Sequence, residues 1–384
     1  MTSTAFKLFP HQTAAIQKMH SGAILAGGVG SGKTFTSLAF YKEKYIDLPL
    51  IVITTAKNRD TKNWEKEAKI IGLKEPEVDS WNNIGKYLNR HAFFIFDEQH
   101  ASGKGKWAKH FIKIAHANKW VMLSATPGDK WIDFAPIFIA NKLVKNMTEF
   151  NNKFVIYNRF VDFPQIVGYR NVFELEAMRH AVIVTMPDKR KTKRIRHYVK
   201  TEYDRFLYED VQKTRFNPFT KMPIKNASEY TQVMRKLVAT SPGRMLTFAD
   251  EVSKHERVIV FYNYNYELDI IQQQLDSIGY DHPRYFWNSK KHDPTPIDTD
   301  TEWIYIVQYN AAEAWNNVAT NQMIFYSPNY SYKVMEQCEG RIDRMNTSFK
   351  ELHYYNLVSD SSVDKAVQAA IRDKKIFNEG MWVD

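Results

Sequence analysis

Short apolar runs recur along the chain with helical stretches between them. Several of the runs are continuous rather than alternating, which is typical of strands that are covered on both faces. Strand–helix alternation of this kind predicts parallel sheets flanked by helices, an α/β fold. The runs fall into two sets: residues 23–26, 50–54, 92–96 and 120–123, then residues 258–262, 303–307, 323–326 and 354–358.

The segment between the two sets, from residue 131 to about 255, has a different pattern. It contains helix candidates at residues 131–144, 203–213 and 226–239, and a dense basic run at 188–196. A chain of 384 residues suits two domains better than one, and each half is large enough to bury its own core. The pattern therefore predicts two α/β domains with mostly helical chain between their strands.

A glycine-rich segment directly follows the first apolar run. Residues 27–34 are Gly-Gly-Val-Gly-Ser-Gly-Lys-Thr, and residues 35–42 have a helical pattern. A strand, a glycine-rich loop and a helix start in this order form a phosphate cradle, because glycines let backbone N–H groups turn inward. The alternative, a glycine-rich turn with a chance lysine, is disfavoured by this context. We expect the cradle to consist of Gly27, Gly28, Gly30, Ser31, Gly32, Lys33 and Thr34, with Lys33 on the β- and γ-phosphates and Thr34 on Mg²⁺.

Two adjacent carboxylates end the third apolar run. Asp97 and Glu98 follow residues 92–96, so we expect both at the carboxyl end of a strand. This arrangement suits Mg²⁺-dependent phosphate chemistry, in which Asp97 would hold the metal and Glu98 would orient and deprotonate the attacking water. An acidic pair after a strand is common by chance, but its place after the glycine-rich loop strengthens this interpretation.

Two arginines near the C-terminus complete the candidate chemistry. Arg341 and Arg344 are three residues apart, and Gln337 precedes them by one turn. On a helix these side chains would share a face. Arginines directed across a domain interface would stabilise the charge on a transferring phosphoryl group. The alternative is a solvated basic face of a helix.

Taken in order, these motifs resemble those of superfamily 2 helicases and translocases. The shared motifs are Asp-Glu-x-His at residues 97–100, Ser-Ala-Thr-Pro at 124–127 and Gln-x-x-Gly-Arg-x-x-Arg at 337–344. Further positions resemble the Swi2/Snf2 branch, in particular compact phage-encoded helicases of DEAD/DEAH type. The resemblance implies two tandem RecA-like domains, over residues 1–205 and 206–384, with a nucleotide cleft between them. It also implies that Gln12 contacts adenine and that Gln337, Arg341 and Arg344 act on the nucleotide.

The same resemblance implies a nucleic-acid path across both domains. Its contacts would be made mainly to phosphates, which position nucleic acid without reading sequence. For Trp81, a place in the core is an equal alternative to base stacking. The basic run is either a strand edge or a further contact. The implied contacts are Thr55, Lys57, Trp81, Asn82, Asn263, Tyr264, Gln308 and Tyr309.

Composition agrees with a polyanion partner. Lys and Arg number 53 against 43 Asp and Glu, a formal charge of +10, which favours nucleic acid over a merely basic solvated surface. The single cysteine, Cys338, excludes a disulfide within the chain and fits a reducing compartment. No apolar run approaches the roughly 18 residues that span a bilayer. We expect a cytoplasmic protein, in the bacterial host cytoplasm if it is phage-encoded, with no membrane partner.

The sequence therefore predicts an ATP-dependent DNA helicase or translocase with ATP and Mg²⁺ as its cofactors. Its DNA partner would be single- or double-stranded and bound independently of sequence, with other replication proteins as further partners in phage-type replication or recombination. Two alternatives stay open. One is an RNA helicase. The other is a DNA-binding clamp that uses ATP as a latch without motor activity.

Overall fold

The computed structural model describes residues 8–28, 30–98, 105–158, 164–186, 192–311, 315–344 and 346–379. The chain divides into two compact units, Met1–Lys189 with Lys374–Asp384 and Arg190–Asp373. Each unit is built around one parallel sheet, so the architecture is α/β and consistent with two tandem RecA-like domains. Of the described helices, none is both long and apolar enough to cross a lipid bilayer.

The first unit contains a six-stranded sheet in the order β3-β2-β4-β5-β1-β8, and every pairing in it is parallel. A separate two-stranded antiparallel ribbon pairs β6 with β7. The strands are β1 (Ile24–Gly27), β2 (Leu50–Thr54), β3 (Glu77–Ser80), β4 (Phe93–Asp97), β5 (Lys119–Ser124), β6 (Val155–Tyr157), β7 (Ile166–Tyr169) and β8 (Ile183–Met186).

Helices cover both faces of this sheet. Alternate residues of β4 face opposite sides, because side chains alternate along a strand: Phe94 and Phe96 belong to one core and Phe93 and Ile95 to the other. All four are fully buried, which explains the continuous apolar run. The helices are α1 (Pro10–Lys18), α2 (Lys33–Lys44), α3 (Ala56–Asp60), α4 (Asn63–Ile70), α5 (Lys106–Ala117), α6 (Trp131–Ala140), α7 (Met147–Phe154) and α8 (Val172–Val182), with a 3₁₀ turn at Trp81–Tyr87.

The second unit contains a six-stranded parallel sheet in the order β13-β14-β12-β15-β16-β9. Two buried cores lie on its two faces. The strands of this sheet are β9 (Lys193–Lys200), β12 (Arg257–Tyr262), β13 (Arg284–Trp287), β14 (Trp303–Gln308), β15 (Gln322–Phe325) and β16 (Glu351–Val358). Strands β10 (Phe216–Asn217) and β11 (Met222–Pro223) form a separate antiparallel pair. Its helices are α9 (Arg205–Thr214), α10 (Ala227–Ala239), α11 (Pro242–Val252), α12 (Asn265–Ser277), α13 (Tyr332–Glu339) and α14 (Ser362–Glu379).

The eight strands predicted from apolar runs are the central strands of the two sheets, and the four that were missed are the edges: β3, β8, β9 and β13. Edge strands carry charged and half-exposed residues, which hide them from a search for apolar runs. The clearest case is β9, with the sequence Lys-Arg-Ile-Arg-His-Tyr-Val-Lys, which pairs with β16 along its whole length. Strand β9 therefore belongs to the second compact unit, which begins at Arg190, and the domain boundary at 205/206 stays a prediction.

Candidate nucleotide-binding site

Four strands of the first sheet end at one edge with polar or glycine residues. Strands β2, β4, β5 and β1 are consecutive neighbours and all run in parallel. Their carboxyl ends are Thr54, Asp97, Ser124 and Gly27. Ligands of open α/β sheets bind at this edge of the sheet. The predicted phosphate cradle and acidic pair therefore lie at the ends of strands that are separated only by β5.

The glycine-rich loop encloses the lysine ammonium. Lys33, the first residue of α2, donates from Nζ to the backbone carbonyls of Gly27 and Gly28 over 2.6 and 2.8 Å. Gly30 and Gly32 have φ angles of 83° and 81°, a left-handed conformation that residues with a Cβ rarely adopt. The loop thus brings a positive charge and the N-terminus of a twelve-residue helix to one place, which is an anion-binding arrangement.

The loop has features that fit a phosphate group. A Cβ on Gly27 would lie 2.6 Å from the Ser31 hydroxyl and 3.1 Å from the Met186 Cβ, so any larger residue here would force the loop or its neighbours to shift. The Ser31 Oγ is buried and has no hydrogen-bond partner among the described residues. A buried polar atom without a partner is costly, and a phosphate oxygen would satisfy it. Thr34 is half-buried in the first turn of α2, and Val29 lies outside the described residues.

Asp97 is held by two side chains from the neighbouring strand and helix. Thr54 Oγ1 and Asn58 Nδ2 each donate to Oδ2 of Asp97 over 2.8 Å. Asn58 also donates to Thr54 Oγ1 over 3.0 Å. The carboxyl group is therefore fixed by a closed network of three side chains, in which Oδ1 takes no part. The sequence analysis missed Asn58, although its position four residues after Thr54, at the start of a helix, could have indicated it.

The pKa of Asp97 is raised to about 6. Burial is the largest cause and the negative charge of Glu98 adds to it, while the Thr54 hydrogen bond, the Lys33 charge and the Asn58 hydrogen bond oppose the rise. The side chain is only 8% exposed. A buried carboxylate that is not neutralised by its surroundings is poised to accept a cation. Asp97 and Thr34 could thus hold Mg²⁺ together with phosphate oxygens, which is how Mg²⁺ is usually bound.

Glu98 adopts an uncommon backbone conformation. Its φ is 55°, in the left-handed region, where non-glycine residues are rare and often functional. The turn redirects the chain directly after β4 and leaves the side chain half-buried. Gln99 and His100, the rest of this motif, lie outside the described residues.

The start of α1 contacts the glycine-rich loop. Gln12 is 4% exposed, accepts a hydrogen bond from the backbone N–H of Phe9 at 2.9 Å and donates a long one to the carbonyl of Gly32 at 3.5 Å. His11 Nε2 lies 3.4 Å from the carbonyl of Ser31. Gln12 therefore lies beside the phosphate loop, and its contact with adenine stays a prediction.

The arginine motif of the second unit was predicted to lie on one helix, but in the structure the helix ends within the motif. Helix α13 ends at Glu339 with Gly340 as its C-cap, so Gln337 is helical while Arg341 and Arg344 lie in the following turn. Arg341 donates from Nη1 to the carbonyl of Trp315 over 3.1 Å. The glycine ends the helix because it has low helix propensity. Both arginines are half-buried.

A buried ion-pair network attaches this turn to the edge strand β9. Arg194 donates to Asp343 at 2.7 Å, to Glu336 at 2.6 Å and to Glu339 at 3.1 Å. Arg196 also pairs with Glu339, at 2.6 Å. Burial alone would lower the pKa of Arg194, but the three carboxylates hold it above its ordinary value. These arginines of the basic run therefore position the Arg341–Arg344 turn, and they are engaged with protein rather than exposed to a partner.

The predicted nucleic-acid residues of the first unit differ in exposure. Trp81 is 2% exposed and donates from Nε1 to the carbonyl of Asp97 over 3.0 Å, so the expectation of a base-stacking role is corrected and the core alternative holds. Asn82 beside it is exposed. Thr55 caps α3 by accepting a hydrogen bond from Asn58 N–H at 3.2 Å, and Lys57 is half-buried in that helix.

The predicted nucleic-acid residues of the second unit lie together at the carboxyl ends of β12, β14 and β15. Asn263 Nδ2 donates to the carbonyl and hydroxyl oxygens of Ser327 at 2.8 and 2.9 Å, and Gln308 donates to the carbonyl of Asn263 at 3.3 Å. Tyr309 is 4% exposed and donates to the Ser327 carbonyl at 3.3 Å, so it supports this edge from the core. Tyr264 is half-exposed.

No protein-family model matches the sequence, and no curated protein matches it either. The structure is similar to that of the Sulfolobus solfataricus SWI2/SNF2 ATPase core in complex with dsDNA, with 16% sequence identity, 98% of this chain and 94% of that chain covered, and a TM-score of 0.43. A likeness at this level does not transfer a function. The function of this chain is therefore inferred from its own residues.

Proposed function

We propose that this chain is an ATP-dependent DNA translocase or helicase of the Swi2/Snf2-like type. The observation that carries the proposal is that the glycine-rich loop with Lys33 and the pair Asp97 and Glu98 follow β1 and β4, two parallel strands of one sheet that are separated only by β5. A phosphate loop and an acidic pair in this relation are the parts that nucleoside triphosphate hydrolysis requires.

Each residue of the site has a defined task in the proposed reaction. Lys33 binds the β- and γ-phosphates in place of the loop carbonyls that it now contacts, and the backbone N–H groups of the loop orient them. Mg²⁺, held by Thr34 and Asp97, would supply charge neutralisation on the phosphates. Glu98 accepts the proton of the attacking water. Thr54 and Asn58 keep Asp97 in one orientation.

The second unit contributes arginines to the same reaction in this proposal. Arg341 and Arg344 stabilise negative charge on the phosphoryl group when the two units enclose the nucleotide, and Gln337 assists them. The support for this is the ion-pair network around Arg194, which fixes the turn that carries the two arginines. Fixed donors cost little reorganisation when charge develops.

DNA is the proposed polyanion, bound through phosphates and independently of sequence. The formal charge of +10 and the exposed or half-exposed polar residues Asn82, Asn263, Tyr264 and Gln308 support this. The proposed setting is phage-type replication or recombination. Two outcomes would change the proposal. One is that RNA is the substrate, and the other is that the chain is a clamp that binds ATP without turnover.

The test is phosphate release measured with no nucleic acid, single-stranded DNA, duplex DNA, forked DNA and RNA, with Lys33→Ala as the matched negative control. The proposal expects turnover that DNA stimulates more strongly than RNA does and that Lys33→Ala abolishes. If only RNA stimulates turnover, RNA rather than DNA is the substrate. Tight ATP binding without turnover would indicate a clamp. Release of a labelled strand from the forked DNA distinguishes a helicase from a translocase.

A further inference from the structure

A short hairpin projects between helices α9 and α10 of the second unit. Strand β10 pairs antiparallel with β11, Phe216 opposite Pro223 and Asn217 opposite Met222. The Asn217 side chain accepts hydrogen bonds from the N–H groups of Phe219 and Thr220 at 3.0 and 3.3 Å, and thereby closes the turn. The hairpin is thus an ordered element with a defined tip.

The hairpin combines positive charge with exposed apolar side chains. Residues 213–225 contain Lys213, Arg215, Lys221 and Lys225 and no Asp or Glu, and all four cations are exposed. In the same segment, Phe216, Phe219 and Met222 are 41%, 40% and 54% exposed. Lys213 also lies 3.9 Å from the Glu209 carboxylate one turn earlier on α9. Exposed aromatic rings among several cations are the composition of surfaces that bind single-stranded nucleic acid.

Side-chain contacts connect the hairpin tip to the end of the second sheet. Lys236 of α10 places Nζ 4.2 Å from the centre of the Phe219 ring and 5.4 Å from that of Tyr266. Tyr266 stacks on Tyr264, with 5.3 Å between ring centres. Arg235 lies 5.4 Å from the Tyr264 ring and 5.0 Å from the Tyr330 ring. We call Phe219, Lys236, Tyr266, Tyr264, Arg235 and Tyr330 the hairpin strip.

The chemistry of the strip favours nucleic acid over another occupant. Cations seated on ring faces keep the rings in place and offer a charge to phosphates beside a surface for bases. A lipid surface requires a broad apolar face next to the cations, whereas here Lys236 and Arg235 lie among the rings of the strip. The strip also includes Tyr264, which is next in sequence to Asn263, and the proposed function already assigns Asn263, Tyr264 and Gln308 to nucleic acid.

We propose that the hairpin is a contact site for single-stranded nucleic acid, in which a base stacks on Phe219 and the hairpin cations bind the adjoining phosphates. This inference rests on the proposed function and deepens it, because it assigns single-strand contact to an element outside the sequence motifs. Bases inside a duplex are stacked on both faces and offer Phe219 no free ring face, so the hairpin discriminates between single-stranded nucleic acid and the interior of a duplex.

The test is equilibrium binding of a fluorescent oligo-dT and of a blunt duplex without nucleotide. Phe219→Ala should weaken oligo-dT binding roughly fivefold or more, since stacking contributes about 1–3 kcal/mol per base, and should change duplex binding much less. Phe219→Trp should retain the affinity. Phe206→Ala is the matched control, because Phe206 is an aromatic residue of α9 with 88% exposure and no place in the strip.

Lys221→Glu is a second variant at an exposed position, and it should also weaken oligo-dT binding. Unchanged oligo-dT affinity in both Phe219→Ala and Lys221→Glu would overturn the hairpin site while leaving the proposed function standing. An equal loss of oligo-dT and duplex affinity in Phe219→Ala would overturn base stacking. If the wild-type protein binds neither DNA, the proposed function itself fails, which separates the two conclusions.

Discussion

Asn58 donates a hydrogen bond from Nδ2 to Oδ2 of Asp97 over 2.8 Å. Asn58 lies on the short helix α3, which begins after Thr55 and contains Lys57. Thr55 and Lys57 are both expected to contact nucleic acid. A single five-residue element therefore touches the proposed metal-binding carboxylate and presents the proposed nucleic-acid contacts. We expect a displacement of α3 by nucleic acid to change the hydrogen bonding of Asp97 directly.

Asn58→Ala should shift the acid side of the pH–turnover profile to higher pH. The Asn58 hydrogen bond lowers the pKa of Asp97, so its removal raises that pKa, and a higher pH is then needed to ionise the carboxyl group. Maximal turnover with DNA should also fall, because a hydrogen bond to a charged group contributes roughly 1.5–3 kcal/mol. The measurement is phosphate release from pH 5 to pH 8.

Asn63→Ala is the matched control for this variant. Asn63 is exposed and donates to Glu67 at 2.9 Å on the adjacent helix, away from Asp97. Its substitution should leave the profile in place. An Asn58→Ala profile that coincides with the wild-type profile would show that the network does not govern the ionisation of Asp97.

Asp97→Asn should become increasingly more stable than the wild-type protein as pH rises from 4 to 7. The pKa of Asp97 is about 6 in the folded protein against an ordinary value of 3.8, so the folded state retains the proton longer and loses stability as pH rises through 6. The asparagine variant does not titrate. The gain in the free energy of unfolding approaches roughly 3 kcal/mol at neutral pH, and urea unfolding without Mg²⁺ or nucleotide measures it. A pH-independent difference would contradict the raised pKa.

The central strands of both sheets could be predicted from sequence, and the edges could not. The continuous apolar run of β4 identifies a strand buried on both faces, whereas β9 carries arginines that satisfy Glu336, Glu339 and Asp343. Such charges on an edge strand are indistinguishable from a solvated run until the partner strand is known. The sequence pattern alone therefore did not show that β9 pairs with β16 in the sheet of the second unit.

Glu98→Gln and Glu98→Gly should separate chemistry from backbone strain. Both lose the base, so hydrolysis should stall while ATP still binds. Glu98 has a φ of 55°, which costs a side-chain-bearing residue roughly 1–2 kcal/mol and glycine much less. The glycine variant should therefore unfold at a higher temperature than the glutamine variant. Loss of ATP binding in both variants would instead indicate that Glu98 has a metal-binding or structural role.

The affinity for DNA should fall steeply with salt and depend little on base sequence. With roughly five phosphate contacts, the log–log slope of the binding constant against salt concentration should be near −4 for duplex DNA. Fluorescence anisotropy with two unrelated sequences between 50 and 200 mM salt measures both properties. A flat salt dependence, or a strong preference for one sequence, would contradict binding through the phosphate backbone.

The chemistry of the site was predictable where it depends on a local motif, and obscure where it depends on contacts distant in sequence. Lys33 and Asp97 were identified because strand ends and glycine spacing fix them locally. Arg194 acts through Asp343, 149 positions away, and no spacing rule reveals such a partner. Asn58 acts through Asp97, 39 positions away, and only its place four residues after Thr54 gave a local indication. Trp81 was undecided because a tryptophan that supports a strand end and one that stacks on a base can have the same sequence neighbours.

The central claim is that one nucleotide is served by both units, with Lys33 from the first and Arg344 from the second. The measurement is the ratio of ATP turnover with saturating DNA to turnover without DNA, in the wild-type protein and in Arg344→Ala. An arginine acting on the transition state contributes about 10³-fold in rate. We therefore expect the variant to bind ATP and to lose the stimulation by DNA. A ratio in Arg344→Ala equal to that of the wild-type protein would mean that the second unit does not act on the nucleotide, and the motor account would be wrong even if Lys33 binds phosphate.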